Sequence, residues 1–205
     1  MTNSRKMLDK LLKDIKFRSE VKNFFKQNKE RLIDIILFGS TTRGKEKPKD
    51  IDLFILYKEK VDLNLDHILK KRLEKFNIQI TSKSYKELLE SSFKARESIL
   101  SEGYSLILNK KISKGFGFSN FTLFKYELKG KNKSERMRFY YSLYGRGKEK
   151  GILDKLKGLK FSGSTIFCPI ESTEEMKEFF DNWNMEYMQF PVLVPERIVI
   201  SKLIR

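Results

Sequence analysis

The pattern of apolar and polar positions predicts a chain of alternating helices and strands. Apolar residues recur at helical spacing near the start, whereas short β-branched runs bounded by Gly, Ser and charged residues follow. The first half is predicted to contain, in order, helical residues 5–29 as one long or two short helices, strands at 32–38 and 51–57, a helix at 65–75, a strand at 76–81, two further helices of which the last ends at Gly103, and a strand at 105–108.

The second half also alternates strands and helices, and it begins after a stretch near residue 112 that is rich in Gly, Ser and Asn. It is predicted to contain a strand at 121–128, a helix from about Ser134 to Gly145, a strand at 165–170, a helix with Met176, Phe179, Phe180 and Trp183 on its apolar side, and a strand at 185–190. Ser84 with Glu87, and Ser172 with Glu175, each have the spacing of a helix capping box. The sequence therefore predicts an α/β (α+β) protein: a mixed sheet with flanking helices over residues 1–112, and a second, small basic α/β domain over 113–205.

Composition adds a preference for anionic partners. The 205 residues include 43 Lys and Arg against 27 Asp and Glu, a formal net charge of +16. Such a charge favours a polyanion, although a general lysine bias is the alternative explanation. No apolar run approaches the roughly 20 residues of a membrane span, so we expect a cytoplasmic protein without a membrane partner. The single cysteine, Cys168, excludes an internal disulfide and is expected in the core.

The basic charge is concentrated in one part of the second half. Residues 110–160 hold 15 Lys and Arg against 4 Asp and Glu. Cations interleaved with aromatic rings suit phosphate pairing and base stacking, so nucleic acid is the predicted partner of this segment. The alternative is a helix whose aromatic rings face the core while its cations are solvated. The candidate nucleic-acid-binding residues are Lys133, Arg136, Arg138, Tyr141, Arg146 and Lys148.

Residues 114–121, KGFGFSNF, match an RNA-recognition octamer at every defined position except Ser119. That octamer requires a partner aromatic strand upstream in the same sheet. The upstream residues already belong to the first half's elements, so an RNA-recognition fold is disfavoured. We interpret the segment as a junction whose Phe116 and Phe118 are available to a ligand.

Two aspartates at the start of the second predicted strand are the main candidates for chemistry. Asp50 and Asp52 alternate with apolar residues, so both carboxylates project to one side, where they repel each other. A divalent cation removes this repulsion, and Mg²⁺ binds one or two carboxylates together with substrate phosphates. Gly39 and Ser40 follow the preceding strand and form a bend suited to an anion, with Arg43 and Lys45 nearby. The sequence thus predicts a phosphate site beside a metal site.

Gly39-Ser40 followed by Asp50-Ile-Asp52 resembles the nucleotidyltransferase superfamily of the DNA polymerase beta type, and the stretch FGSTTRGKEKPKDIDLFIL most resembles its minimal, stand-alone members. The resemblance covers roughly residues 30–109, including EGYSLIL, and leaves the second half unassigned. It implies catalytic, metal-binding roles for Asp50 and Asp52 with Mg²⁺ or Mn²⁺. It also implies that Gly39, Ser40, Arg43 and Lys45 bind a nucleoside triphosphate, with ATP the first choice.

One position departs from the family's pattern. A third carboxylate normally comes from a later strand, and Gln79 stands at the natural place. Glutamine can orient a hydroxyl but cannot act as an anionic ligand or a base. Asp62, Asp66 and Glu74 are the acidic residues that could substitute.

Three functions remain open from the sequence. The protein could transfer a nucleotide to a nucleic acid held by residues 110–160. It could transfer one to a protein or small-molecule acceptor. With an impaired site, it could be a nucleic-acid-binding protein that senses nucleotide.

Overall fold

The computed structural model describes residues 7–202, and side chains up to Val199. The chain forms two compact units, divided between Phe116 and Gly117. The predicted start of the first helical region at residue 5 lies outside the described residues. Among residues 7–202, no helix is long and apolar enough to cross a membrane.

The first unit has a mixed sheet with helices on both of its faces. Its elements are α1 (Met7–Lys13), α2 (Ile15–Gln27), β1 (Leu32–Phe38), a one-turn 3-10 helix (Gly39–Thr41), β2 (Ile51–Tyr57), α3 (Leu63–Arg72), β3 (Ile78–Ser84), α4 (Tyr85–Leu89), α5 (Arg96–Glu102), β4 (Tyr104–Ser105), β5 (Lys110–Lys111) and α6 (Ile112–Gly115). The strand order is β3-β2-β1-β4-β5. Among the strands of residues 7–116, only the β2–β3 pair is parallel, because α3 carries the chain back between these two strands.

The apolar pattern that predicted the strands also accounts for the core. β1 and β2 lie at the centre of the sheet and are buried almost throughout, since apolar clusters cover both faces. Asp14 divides the predicted first helical region in two, because its carboxylate accepts the Phe17 N–H at 2.8 Å and caps α2. The capping box of Ser84 and Glu87 is confirmed at the start of α4.

The predicted strand at 105–108 is wrong in extent. β4 ends at Ser105, because the Ser105 Oγ accepts the Leu108 N–H at 2.9 Å and closes a turn. The same hydroxyl donates to the buried carboxylate of Asp34 in β1, at 2.8 Å. This contact and the Leu106 N–H to Ile35 carbonyl bond of 2.9 Å fasten β4 to β1. The short strand is therefore well fixed, which matters for the site described below.

The second unit is a four-stranded antiparallel sheet with helices. Its elements are β6 (Phe118–Glu127), α7 (Lys133–Tyr144), the hairpin β7 (Gly145–Arg146) and β8 (Glu149–Lys150), α8 (Ile152–Lys155), β9 (Leu159–Ser162), β10 (Thr165–Pro169), a 3-10 turn (Ile170–Ser172), α9 (Thr173–Asn182), β11 (Glu186–Pro195) and α10 (Glu196–Lys202). The strand order is β11-β6-β10-β9. The α/β class predicted for the protein is confirmed.

An aromatic core joins one face of this second sheet to α7 and α9. Tyr126, Phe139 and Phe180 are fully buried, and their rings pack at centroid distances of 5.3 to 6.2 Å. Phe179 and Trp183 pack against the same cluster, as the helical spacing predicted. Cys168 is buried there, as expected.

Three predictions for the second unit need correction. The Ser172–Glu175 capping box is wrong, because Ser172 ends a 3-10 turn with ψ 12° and its side chain makes no capping bond. β11 continues to Pro195, past the predicted end at 190, since an edge strand tolerates proline. The strand predicted at 121–128 begins earlier, at Phe118, so the octamer at 114–121 extends from the end of α6 into β6.

Candidate active site

The candidate site begins where β1 ends and the chain bends sharply. Gly39 has φ +73°, in the left-handed region that favours glycine. A Cβ built on Gly39 would lie 2.5 Å from Oδ2 of Asp52. The bend therefore packs its backbone directly against the Asp52 carboxylate, and only glycine leaves room for this approach.

Strand pairing brings the other predicted residues to the same place. In the antiparallel β1–β2 pair, Asp52 lies opposite Phe38, the residue before the bend. In the parallel β2–β3 pair, Gln79 lies beside Asp52. The Gln79 Nε2 donates to Oδ2 of Asp50 at 2.7 Å. Asp50, Asp52 and Gln79 thus form one polar group at the end of two adjacent strands.

Electrostatics at this group show that the two carboxylates interact. Burial is the main cause that raises the pKa of Asp52, and the charge of Asp50 raises it further. The Arg43 guanidinium acts in the opposite direction on the pKa of Asp52. Two anions held close together, with one cation nearby, have the charge arrangement of a cation-binding site.

A buried glutamate that the sequence analysis missed also lies at the bend. Glu102 ends α5 and has only 6% of its surface exposed. Its Oε2 accepts a hydrogen bond from Arg43 Nη1 at 2.8 Å, and its carboxylate also accepts the Gly39 N–H. Burial raises the pKa of Glu102, and the Arg43 charge and the Gly39 N–H oppose that rise. The available signal was its place in EGYSLIL, directly before a glycine and a strand.

The N–H and hydroxyl groups of the bend differ in whether they have a hydrogen-bond partner among the described residues. The Gly39 N–H is taken by Glu102, whereas the N–H groups of Ser40 and Thr41 head the 3-10 turn, where no intrahelical acceptor exists. Ser40 is partly exposed and Lys45 is exposed. The Thr41 hydroxyl is fully buried without a partner among the described residues. Among the backbone groups of the bend, Ser40 and Thr41 are therefore the candidate phosphate donors, rather than Gly39.

The acidic residues considered as substitutes for a third carboxylate do not join this group. Asp66 accepts hydrogen bonds from Tyr57, at the far end of β2, and from Ser82. Tyr57 lies five positions after Asp52, or about 17 Å along the strand. Asp62 caps α3 and pairs with Arg31 at 2.7 Å, and Glu74 is exposed in the turn after α3.

Two carboxylates fit a divalent ion that draws its other ligands from substrate and water. Among the described residues, no group of three or more His, Cys, Asp or Glu side chains could hold a metal. Mg²⁺ commonly binds through one or two carboxylates together with substrate phosphates. The interacting carboxylates of Asp50 and Asp52, beside an anion-suited bend, meet that requirement.

The six candidate nucleic-acid-binding residues of the second unit are all exposed. They lie on α7 and in the β7–β8 hairpin: Lys133, Arg136, Arg138, Tyr141, Arg146 and Lys148. The Arg146 guanidinium lies 4.8 Å from the centroid of the Tyr141 ring, which is 38% exposed. Phe139 instead belongs to the core, and Tyr140 and Tyr144 pack against it. The aromatic residues therefore divide between the two explanations that the sequence left open.

The mixed sheet and flanking helices of the first unit are consistent with a nucleotidyltransferase fold. Residues 19–112, a little under half of the chain, match the protein-family profile described as "Polymerase beta, Nucleotidyltransferase". No curated protein matches the chain.

Solved structures of toxin–antitoxin complexes are similar to this chain at low identity. A mutant of the MntA–HpeT complex is 17% identical, with a TM-score of 0.35 over 43% of this chain and 70% of that one. A toxin–antitoxin solved with AMP-PNP is 21% identical, with a TM-score of 0.34 over 43% and 71%. A complex of the tri-AMPylated HEPN toxin of Shewanella oneidensis with an MNT antitoxin is 19% identical, with a TM-score of 0.31 over 43% and 67%.

Proposed function

We propose that the protein transfers a nucleoside monophosphate from a nucleoside triphosphate, ATP in the first instance, to an acceptor hydroxyl. The observation that carries the proposal is the packing of Asp52 against the Gly39 bend, with Asp50 beside it. This arrangement sets an anion-binding turn against paired carboxylates in a domain of the nucleotidyltransferase family.

In this proposal the triphosphate lies along the bend. The N–H groups of Ser40 and Thr41 donate to phosphate oxygens, and the side chains of Arg43 and Lys45 offset the phosphate charge. Asp50 and Asp52 hold Mg²⁺ or Mn²⁺. Such an ion, when bound by these two carboxylates, would supply positive charge that lowers the pKa of the acceptor hydroxyl and neutralises the leaving group.

The reaction exchanges one bond at the α-phosphorus for another. The acceptor oxygen forms a bond to this atom while the bond to the β-phosphate oxygen breaks, so pyrophosphate leaves. The acceptor's proton passes to water, because Gln79 cannot serve as a base. This neutral side chain contributes by holding the Asp50 carboxylate in place.

For the acceptor we propose a nucleic acid bound by the exposed basic residues of α7 and the β7–β8 hairpin. Their cations suit backbone phosphates, and the exposed Tyr141 ring offers a stacking surface. Binding through such contacts weakens steeply as salt is added.

One observation favours a second candidate function, a binding protein with an impaired site. Gln79 leaves the group around Asp50 one negative charge short of the family's usual three. In that case nucleotide and nucleic acid bind without transfer.

The deciding experiment uses each labelled nucleoside triphosphate with Mg²⁺ or Mn²⁺ and a pool of short RNAs and DNAs. Asp52→Asn is the matched inactive variant, and Asp66→Asn controls for loss of another buried carboxylate in the same unit. Label on nucleic acid that depends on Asp52 but not on Asp66 supports the proposal. Label on the protein instead would mean that the acceptor is a protein and not a nucleic acid. Absence of label from both would favour the second candidate function, the binding protein with an impaired site.

A further inference from the structure

Glu102 is the buried charged group closest to the site whose role the sequence leaves unassigned. The β1–β4 register explains its position. Leu37 pairs with Tyr104, so the continuation of these antiparallel strands sets Glu102 opposite Gly39. Gly103 allows this, because a Cβ there would lie 2.2 Å from the Ile99 carbonyl oxygen and 3.0 Å from the Ile36 side chain.

The contacts of Glu102 join two parts of the bend. Its carboxylate accepts the Gly39 N–H at the start of the bend and the Arg43 Nη1 just after the 3-10 turn. Both donors come from one short segment, so a single side chain contacts both ends of the bend. Arg43 remains partly exposed while it makes this ion pair, so part of its side chain faces solvent.

We propose that Glu102 is a positioning residue of the nucleotide site, which holds the Gly39–Arg43 bend in its phosphate-binding shape and directs Arg43 toward the triphosphate. This inference rests on the proposed function for its ligand. In this proposal Glu102 itself does not touch the nucleotide. Its carboxylate accepts the Gly39 N–H and pairs with the Arg43 guanidinium.

The test compares Glu102→Ala and Glu102→Gln with Asp66→Asn, which removes a buried carboxylate of α3 that contacts Tyr57 at the other end of β2. Two quantities are measured: the affinity for a non-hydrolysable ATP analogue with Mg²⁺ by calorimetry, and the hydrogen exchange of the Gly39 amide by NMR. The second measurement needs neither catalysis nor ligand.

We expect Glu102→Ala to weaken analogue binding about 10-fold or more, since charge-assisted hydrogen bonds are lost. It should also speed exchange of the Gly39 amide. Glu102→Gln should lose less, because its carbonyl oxygen retains part of these contacts. Asp66→Asn should change neither quantity, even where it lowers the unfolding temperature.

An unchanged Gly39 amide in Glu102→Ala would overturn the proposal, as would an equal loss of affinity in Asp66→Asn. Failure of the proposed function is distinguishable from this. Wild-type protein that transfers no nucleotide removes the transferase assignment, whereas the amide comparison still decides whether Glu102 fixes the bend.

Discussion

Replacing Gly39 with alanine tests the contact on which the site depends. Two costs combine in this substitution. A non-glycine residue in the left-handed region costs about 1–2 kcal/mol. The added Cβ would also meet Oδ2 of Asp52 at 2.5 Å, so the carboxylate must leave its position at a cost of about 0.5–1.5 kcal/mol for an off-rotamer side chain. We expect Gly39→Ala to lower the free energy of unfolding of the first unit by about 1.5–3.5 kcal/mol.

A double-mutant cycle with Asp52→Ala separates the two costs. In the Asp52→Ala background the clash is absent, and Gly39→Ala should cost only the backbone strain, about 1–2 kcal/mol. The only tryptophan, Trp183, lies in the second unit, so its fluorescence does not follow the first. Hydrogen exchange of peptides from β1 and β2, measured by mass spectrometry, is the suitable assay.

One outcome of the double-mutant cycle would contradict this reasoning. An identical cost of Gly39→Ala in both backgrounds would show that the bend does not pack against the Asp52 carboxylate. The proposed phosphate and metal sites would then lie apart. Under the proposed function, transfer activity should also be lost in Gly39→Ala, since the displaced Asp52 would no longer hold the ion.

Two further predictions concern neighbouring polar groups. Thr41→Val should raise the stability of the first unit by about 1 kcal/mol, because it removes a buried hydroxyl without a partner among the described residues. Thr42→Val should lower that stability, because the Thr42 hydroxyl donates to the Gly39 carbonyl at 2.8 Å. Denaturant unfolding followed by hydrogen exchange of β1 compares the two variants, and a loss of stability in Thr41→Val would contradict the assignment. Glu87→Gln should destabilise α4 at neutral pH, because the hydrogen bonds from the Ser84 N–H and hydroxyl hold the pKa of Glu87 below its usual value. Because the pKa of Glu87 is lower in the folded protein, its ionised carboxylate stabilises the fold above the unfolded pKa of about 4.3, and this stabilisation is lost as the pH falls through the folded pKa. The difference in stability between wild type and Glu87→Gln should therefore vanish in acid. A difference that stays constant with pH would refute this origin.

The parts of the site that were predictable depend on local sequence pattern. Asp50 and Asp52 could be placed on one side of a strand because side-chain alternation is a property of the strand itself. The Gly39 bend followed from a glycine directly after a buried run. These inferences need no knowledge of which strands pair.

Glu102 could not be placed in this way, because its contacts depend on pairing between β1 and a two-residue strand far along the chain. Its place before a glycine and a strand is a local signal, but this signal alone does not distinguish Glu102 from an exposed acid at the end of a helix. The failure at Ser172 has a related cause. The capping pattern was present, but a 3-10 turn precedes the helix and gives Ser172 a backbone conformation unsuited to capping.

The outermost position of β11 has a consequence for the behaviour of the protein in concentrated solution. Met188 and Phe190 are exposed on this strand, and an uncovered strand of this kind invites pairing with a second molecule. Pro191 and Pro195 each lack an N–H and interrupt the row of donors that such pairing would use. These two prolines therefore disfavour edge-to-edge self-association of the second unit.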